Sequence, residues 1–251
     1  MNNKMKALVL NEPYNLSYEE LDVPACPNGY ALLKIRCISI CGSDIHAYRG
    51  NQPLMVYPRT LGHELCGTVI KINGENEDIC VGDKVSIMPY VYCGQCVTCK
   101  QGRTNCCTSL KVLGVHIDGG ISEYLSIPIA NIMKVPSDMD DMNVALIEPL
   151  AVSAHSVKRG NIQRDDHLLV LGAGPIGLGA AEIAKTYGAH VILADTSETR
   201  RDFAHRQLGY NVLNPLDPGY SEQLKTLTEG NFPNKIIDST GNQKSMAKSI
   251  D

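Results

Sequence analysis

Much is missing from this sequence, and each absence narrows what it can do. Across 251 residues there is no block of like charge, no long apolar run, no internal repeat and no low-complexity tract. A net charge of −4, spread without clustering, excludes a nucleic-acid or membrane-surface patch. It also gives a small anionic substrate no global attraction, so such a substrate needs a local positive site. No stretch approaches the roughly 18 apolar residues that span a bilayer. The opening MNNKMKALVLNEPY has neither the apolar core nor the small-residue cleavage site of a secretory leader. These absences predict a cytoplasmic chain with no membrane and no nucleic-acid partner. No cysteine follows Cys107, the last of ten, and five of the ten lie between Cys93 and Cys107 inclusive. In a reducing compartment that crowding points to metal or catalysis before disulfides.

The chain changes character near its middle. Up to about residue 150 it reads as short strands, KALVL, ALLKIRCISI, GTVIKI and DKVSIMPYV, separated by Gly, Pro, Asn and Asp turns, which predicts an antiparallel barrel-like β domain over 1–150. Residues 151–251 alternate strand, Gly-rich turn, helix and strand, the α/β pattern of a parallel sheet. HLLVLGAG, HVILADT, NVLNP and KIIDSTG are its expected strands, with helices over GLGAAEIAKTYG and SETRRDFAHRQLG. A doubly wound dinucleotide sheet usually has about six strands. Four are visible, and NQKSMAKSID reads as a helix cut partway, so the expectation is a truncated nucleotide domain, with an inactive zinc-binding fragment as the alternative to an enzyme.

The strongest motif is Y-C-G-Q-C-V-T-C-K-Q-G-R-T-N-C-C, which spaces Cys93, Cys96, Cys99 and Cys107 as C-x2-C-x2-C-x7-C. Four thiolates close a tetrahedral shell with no open position, the way a structural zinc is held. Cys106 offers an alternative to Cys107. A second set is scattered: Cys41 in I-C-G-S-D-I-H, His63 and Glu64 in L-G-H-E, and Glu148 in I-E-P-L. Singly each is an ordinary core or surface residue. Together they offer a thiolate, an imidazole and two carboxylates, and a catalytic zinc needs three such ligands plus an open position. Glu64 and Glu148 compete for the third place. The predicted content is two Zn2+ per chain.

The third motif is V-L-G-A-G-P-I-G, with Gly172, Gly174 and Gly177 between an expected strand and helix, and with Pro175 and Ile176 inside the turn. That context suits a pyrophosphate-binding loop at a helix N-terminus. Asp195, about 20 residues on, is placed to bind ribose hydroxyls and to repel a 2′-phosphate, which favours NAD. Ser197 and Asp195 compete to cap the next helix. Arg200 and Arg201, one turn into it, keep NADP open.

In order along the chain, C-G-S-D-I-H, G-H-E, the cysteine lobe, V-G-D-K-V, D-G-G-I-S-E-Y and G-A-G-P-I-G resemble the zinc-containing medium-chain dehydrogenase/reductase family. The resemblance covers essentially the whole chain. It implies a GroES-like β-barrel domain followed by a Rossmann domain, and a homo-oligomer for the full-length form. The Glu of I-E-P-L resembles the sorbitol and threonine dehydrogenase branch. G-R-T-N-C-C and I-P-I-A-N-I resemble its sugar-acid members, which implies a secondary alcohol of a polyol or L-galactonate-like sugar acid as hydride donor to NAD. By the same resemblance Ser43 and His46 relay the hydroxyl proton, although Ser43 and Asp44 also suit a turn cap. Tyr48, Arg49, Asn51, Tyr57, Arg59 and His116 lie in the matching segments. Arg59 offers a partner for a substrate carboxylate, with a solvated surface arginine as the plainer assignment. Cys26, Cys37, Cys66 and Cys80 are expected in the core. A zinc-free reductase of the same superfamily would have no use for the metal-ligand set.

Overall fold

Alternation of apolar and polar residues builds the first half of the chain. In β1 (Lys4–Glu12), Met5, Ala7 and Val9 turn inward while Lys4 and Lys6 face solvent. The strands that follow are β2 (Asn15–Asp22), β3 (Tyr30–Ser39), β4 (Arg59–Thr60), β5 (Glu64–Asn73), β6 (Lys84–Ile87), β7 (Tyr90–Val91), β8 (Lys111–Val112), β9 (Tyr124–Pro128) and β10 (Ile132–Lys134). They form an antiparallel sheet in the order β10-β6-β5-β3-β9, a second in the order β2-β1-β4 and a ribbon of β7 and β8. Backbone bonds from Leu8 N to Ile121 O (2.9 Å) and from Glu123 N to Lys6 O (3.0 Å) join the two larger sheets. Leu33, Leu65, Val69, Val85, Ile87 and Ile127 fill the interior. Three short helices punctuate the strands: α1 (Gly42–Tyr48), α2 (Val97–Lys100) and α3 (Asp141–Ala145).

This computed structural model describes residues 4–248. The chain divides into two compact units, Met1–Glu148 and Pro149–Asp251. Helix α4 (Ile147–Arg159) begins at the boundary. The second unit holds a parallel sheet of β11 (His167–Leu171), β12 (His190–Ala194), β13 (Asn211–Leu213) and β14 (Lys235–Asp238), in the order β13-β12-β11-β14. Its helices are α5 (Pro175–Thr186), α6 (Glu198–Leu208), α7 (Tyr220–Leu227) and α8 (Gln243–Lys248). Beyond the histidines that open them, the central strands β11 and β12 are apolar because both faces are covered. Leu168, Val170 and Leu193 meet the alanines of α5, and Leu169, Leu171 and Ile192 share the other face with Leu224 of α7. The helix expected over 242–251 is α8, with 249–251 outside the described residues. Helix α7 has no counterpart in the sequence reading. Among the described residues no helix is long and apolar enough to cross a membrane.

Candidate metal and nucleotide sites

The scattered ligand set converges. Cys41 ends the extended chain and caps α1, and Asp44 reaches back from the first turn, its Oδ2 accepting the Cys41 N–H at 2.9 Å. The other oxygen of Asp44 accepts the Gly62 N–H at 3.3 Å. One buried carboxylate thus ties the Cys41 segment to the residue before His63. Gly62 has φ +94°, and a Cβ there would lie 2.5 Å from Ile38 and 2.6 Å from Ile121. A Cβ on Gly119 would collide with the Gly62 carbonyl oxygen. L-G-H-E and D-G-G-I therefore lie backbone on backbone, sealed by Gly119 N to Thr60 O (2.7 Å) and Gly120 N to Gly62 O (2.9 Å). On the next ladder rung Ser39 faces Glu64 and donates its hydroxyl to Oε2.

The Cys41 sulfur, a His63 ring nitrogen and a Glu64 carboxylate oxygen consequently lie within 4.8 Å of one another. Glu148 is outside that triplet, yet close enough for its charge to act on His63 and to be raised by Glu64. His63, Glu64 and Glu148 are all buried. Burial alone would push the His63 imidazole down, but the hydrogen bond to Cys41 and the charges of Asp44, Cys41 and Glu148 carry it up to about 9. Burial pushes Glu148 up, opposed by His63, and likewise pushes Asp44 up against its backbone donors. His63 Nδ1 is buried without a hydrogen-bond partner. A buried thiol, imidazole and carboxylates with an orphaned ring nitrogen suit a divalent cation, since buried charges and lone pairs are costly unless paired. Ser43 Oγ, two residues from Cys41, is also buried without a partner, while His46 is exposed in the last turn of α1.

The cysteine lobe is assembled locally. The sulfurs of Cys93, Cys96, Cys99 and Cys107 lie within 4.8 Å of one another, and Cys106, an exposed residue, is outside that group. Backbone N–H groups aim at the sulfurs: Gln95 N and Cys96 N donate to Cys93 Sγ (3.5 and 3.4 Å), and Cys93 N and Ser109 N to Cys107 Sγ (both 3.3 Å). Hydrogen bonds from Thr98 and from the Cys99 and Thr108 backbone pull the Cys96 thiol down to about 5. Such donors favour thiolate, the form that binds metal.

In the second unit β11 runs through Gly172 (φ +97°) into α5. A Cβ at Gly177 would collide with the Gly172 carbonyl oxygen, whereas one at Gly174 would meet nothing nearer than Arg200 Nη1 at 3.9 Å. The middle glycine is thus free of packing and leaves its space open in front of α5, where Pro175 and Ile176 form the first turn. That is the cradle a pyrophosphate requires. Asp195 Oδ2 accepts Ala173 N and its Oδ1 accepts Ser197 N, both at 2.8 Å, so it braces the loop. Ser197 occupies the N-cap position of α6 without a side-chain bond. Arg200 Nη1 is 3.6 Å from Asp195 Oδ2, and Arg201 Nη1 donates to the Asp195 backbone oxygen at 2.9 Å.

Residues 27–137 match the alcohol dehydrogenase GroES-like domain and residues 175–251 the zinc-binding dehydrogenase family. L-galactonate-5-dehydrogenase of Escherichia coli K12 is 47% identical over 247 residues, 98% of this chain and 72% of that protein. The chain belongs to the zinc-dependent medium-chain dehydrogenase/reductase family. L-threonine 3-dehydrogenase of Pyrococcus furiosus is 34% identical to this dehydrogenase over 255 residues, 100% of this chain and 73% of that one. The NADH complex of the alcohol dehydrogenase RspB from Escherichia coli CFT073 superposes with a TM-score of 0.91 at 35% identity, covering 99% of this chain and 73% of that one. A zinc-binding dehydrogenase from Sinorhizobium meliloti bound to NADP gives 0.85 at 31%, covering 97% and 72%.

Other residues of the dehydrogenase take partners within the protein. Arg59 is largely buried instead of solvated, its side chain 16% exposed and paired with Asp118 at 3.0 Å. Tyr57 donates to Ala47 O (2.7 Å), His116 Nδ1 accepts Val112 N (3.1 Å), and Tyr48 packs edge-on against Tyr14. Of the four cysteines assigned to the core only Cys66 is buried. Cys80 is exposed at a turn, where its N–H bonds Asp83, and Cys26 and Cys37 are half-buried. Lone cysteines are commonly buried, and here turn chemistry prevailed over that tendency. The sequence reading missed the bridging role of Asp44, the Ser39–Glu64 bond and Tyr90, whose phenol burial raises first and Glu148 and Cys41 raise further.

Proposed function

We propose that this dehydrogenase passes hydride between the carbon bearing a secondary hydroxyl of a polyol or sugar acid, of the L-galactonate kind, and NAD, with one zinc at Cys41, His63 and Glu64 and a second in the cysteine lobe. The convergence of the Cys41, His63 and Glu64 donors within 4.8 Å carries this reading. Zinc there supplies Lewis acidity toward the substrate hydroxyl, easing loss of its proton. Glu148, just outside the triplet, is available to exchange with Glu64. Asp44 and Ser39 hold the ligand-bearing segments in register. Ser43 Oγ, buried and unpartnered, would relay the proton by accepting it as it passes on its own hydroxyl proton by way of the cofactor ribose, and His46, exposed, would release one to water. Imidazole is the side chain suited to that exchange near neutral pH.

At the nucleotide loop the first turn of α5 binds the pyrophosphate. Asp195 Oδ1 keeps a lone pair beyond its backbone bond, enough to accept a ribose hydroxyl, and the carboxylate charge opposes a 2′-phosphate. The likeness to L-galactonate-5-dehydrogenase supports the substrate class.

The test is metal content and nicotinamide absorbance with L-galactonate, L-gulonate, sorbitol and L-threonine. Two zinc per chain and turnover of a sugar acid are expected. Absence of zinc, or turnover of threonine alone, overturns the reading. Asp195→Ala is expected to weaken NAD more than NADP, and equal loss refutes the ribose assignment.

A further inference from the structure

The last rung between β11 and β14 pairs Leu171 with Asp238, and the residue after it, Ser239, carries the contact onward beneath the nucleotide loop. Its N–H donates to Leu171 O at 2.9 Å, and its hydroxyl lies 2.9 Å from Leu171 O and 3.2 Å from Gly172 O. The same hydroxyl occupies the space two glycines leave vacant. A Cβ built on Gly172 would lie 2.7 Å from Ser239 Oγ, and one built on Gly177 would lie 2.7 Å from that same atom. The three glycines of the motif therefore divide their work. Gly174 opens outward, while Gly172 and Gly177 make room inward for a side chain from the neighbouring strand.

We propose that Ser239 is a positioning residue of the dinucleotide site, its hydroxyl pinning the Gly172–Gly177 loop in the shape that receives a pyrophosphate; this rests on reading that loop as the NAD site. The turn around it is self-contained. Thr240 spends both its N–H and its hydroxyl on Asp238 Oδ1 (2.7 and 2.6 Å), so neither competes for the loop carbonyls. Removing the Ser239 hydroxyl deletes one donor shared by two carbonyls and leaves a gap one oxygen wide between the outer glycines. The loop is then free to settle into the gap, away from the ligand.

The experiment compares the full chain with Ser239→Ala and Ser239→Thr by NADH fluorescence titration and by hydrogen exchange of peptides covering residues 171–178. Loss of one neutral hydrogen bond predicts binding about 3- to 10-fold weaker in Ser239→Ala. Faster exchange confined to the loop is expected with it, and Ser239→Thr, which keeps the hydroxyl, should restore both. Unchanged loop exchange in Ser239→Ala overturns the proposal whatever the ligand does. So does a threonine variant as weak as alanine, which would assign the effect to packing. An unaltered chain that binds no NADH overturns the cofactor reading instead, and the exchange comparison still decides the role of Ser239.

Discussion

Two clusters of metal-ligand side chains sit in the same β unit and are built on opposite plans. The lobe draws four sulfurs from 15 consecutive positions, 93–107, and stabilises them with N–H donors from the same stretch. The other cluster draws its donors from residues 41, 63 and 64, and relies on bonds between distant segments: Asp44 to Gly62, Ser39 to Glu64, and the stacking of Gly119 on Gly62. A shell closed by four like ligands needs only a local loop. A mixed shell that keeps a face for substrate needs the fold to bring unlike ligands together. The two clusters should therefore fail separately.

The largest effect tests that separation directly. His63→Ala removes the imidazole of the scattered set, and on the proposed zinc site turnover should fall on the order of a thousandfold or more, because several kcal/mol of charge stabilisation would leave with the metal. Zinc should drop from about two to about one per chain, with the lobe still loaded. Retention of both ions would show that His63 is not a ligand. Next in size is Cys96→Ser in the lobe. Here the expected loss is the other zinc, with protease sensitivity confined to 93–107 and a melting temperature lower by about 5–10 °C. If zinc at Cys41 and His63 is lost too, the clusters are coupled and the contrast breaks.

A smaller, sharper probe acts on one cluster without touching a ligand. Asp44→Asn keeps the shape but replaces one acceptor oxygen with an amide that faces an N–H, either of Cys41 or of Gly62. Affinity at the Cys41–His63 site should fall about 10–100-fold, with the lobe unchanged, in a competitive chelator titration. Equal weakening of both sites would mean general destabilisation.

The same contrast explains what could be read from sequence. The lobe and the G-x-G-x-x-G turn are legible because their chemistry is contained in short spacings, and alternating apolar residues marked most strands. The bonds that hold the scattered cluster join residues 18 and 25 positions apart, and Arg59 finds Asp118 across 59, separations with no periodic signature. Glu64 and Glu148 are indistinguishable as carboxylates in a sequence. Only the β3–β5 register, which sets Ser39 opposite Glu64, distinguishes their surroundings. Ser239 was invisible for the same reason, being 67 residues from the glycine it touches.

The smallest effect concerns the sheet that carries the scattered cluster. Asp141 of α3 pairs with Lys84 at 2.8 Å and Arg36 at 3.2 Å, fastening the helix to β6 and β3. Lys84 holds its carboxyl below the ordinary carboxylate range, burial opposes that, and Arg36 adds to the lowering. A carboxyl whose pKa is depressed on folding stabilises fully above the unfolded value, about 3.9, and loses that contribution as pH falls through the folded one. Asp141→Asn should therefore melt about 1–3 °C below the unaltered chain at pH 5–7, because partly exposed ion pairs are weak. The gap should begin to shrink below about pH 4 and close once pH has fallen through the folded value, where both chains carry a neutral group. Zinc in the lobe should not change, since no lobe residue touches Asp141 among its bonded partners. A gap that does not shrink as pH falls below about 4, or its absence at pH 7, would assign the attachment of α3 to packing instead of charge.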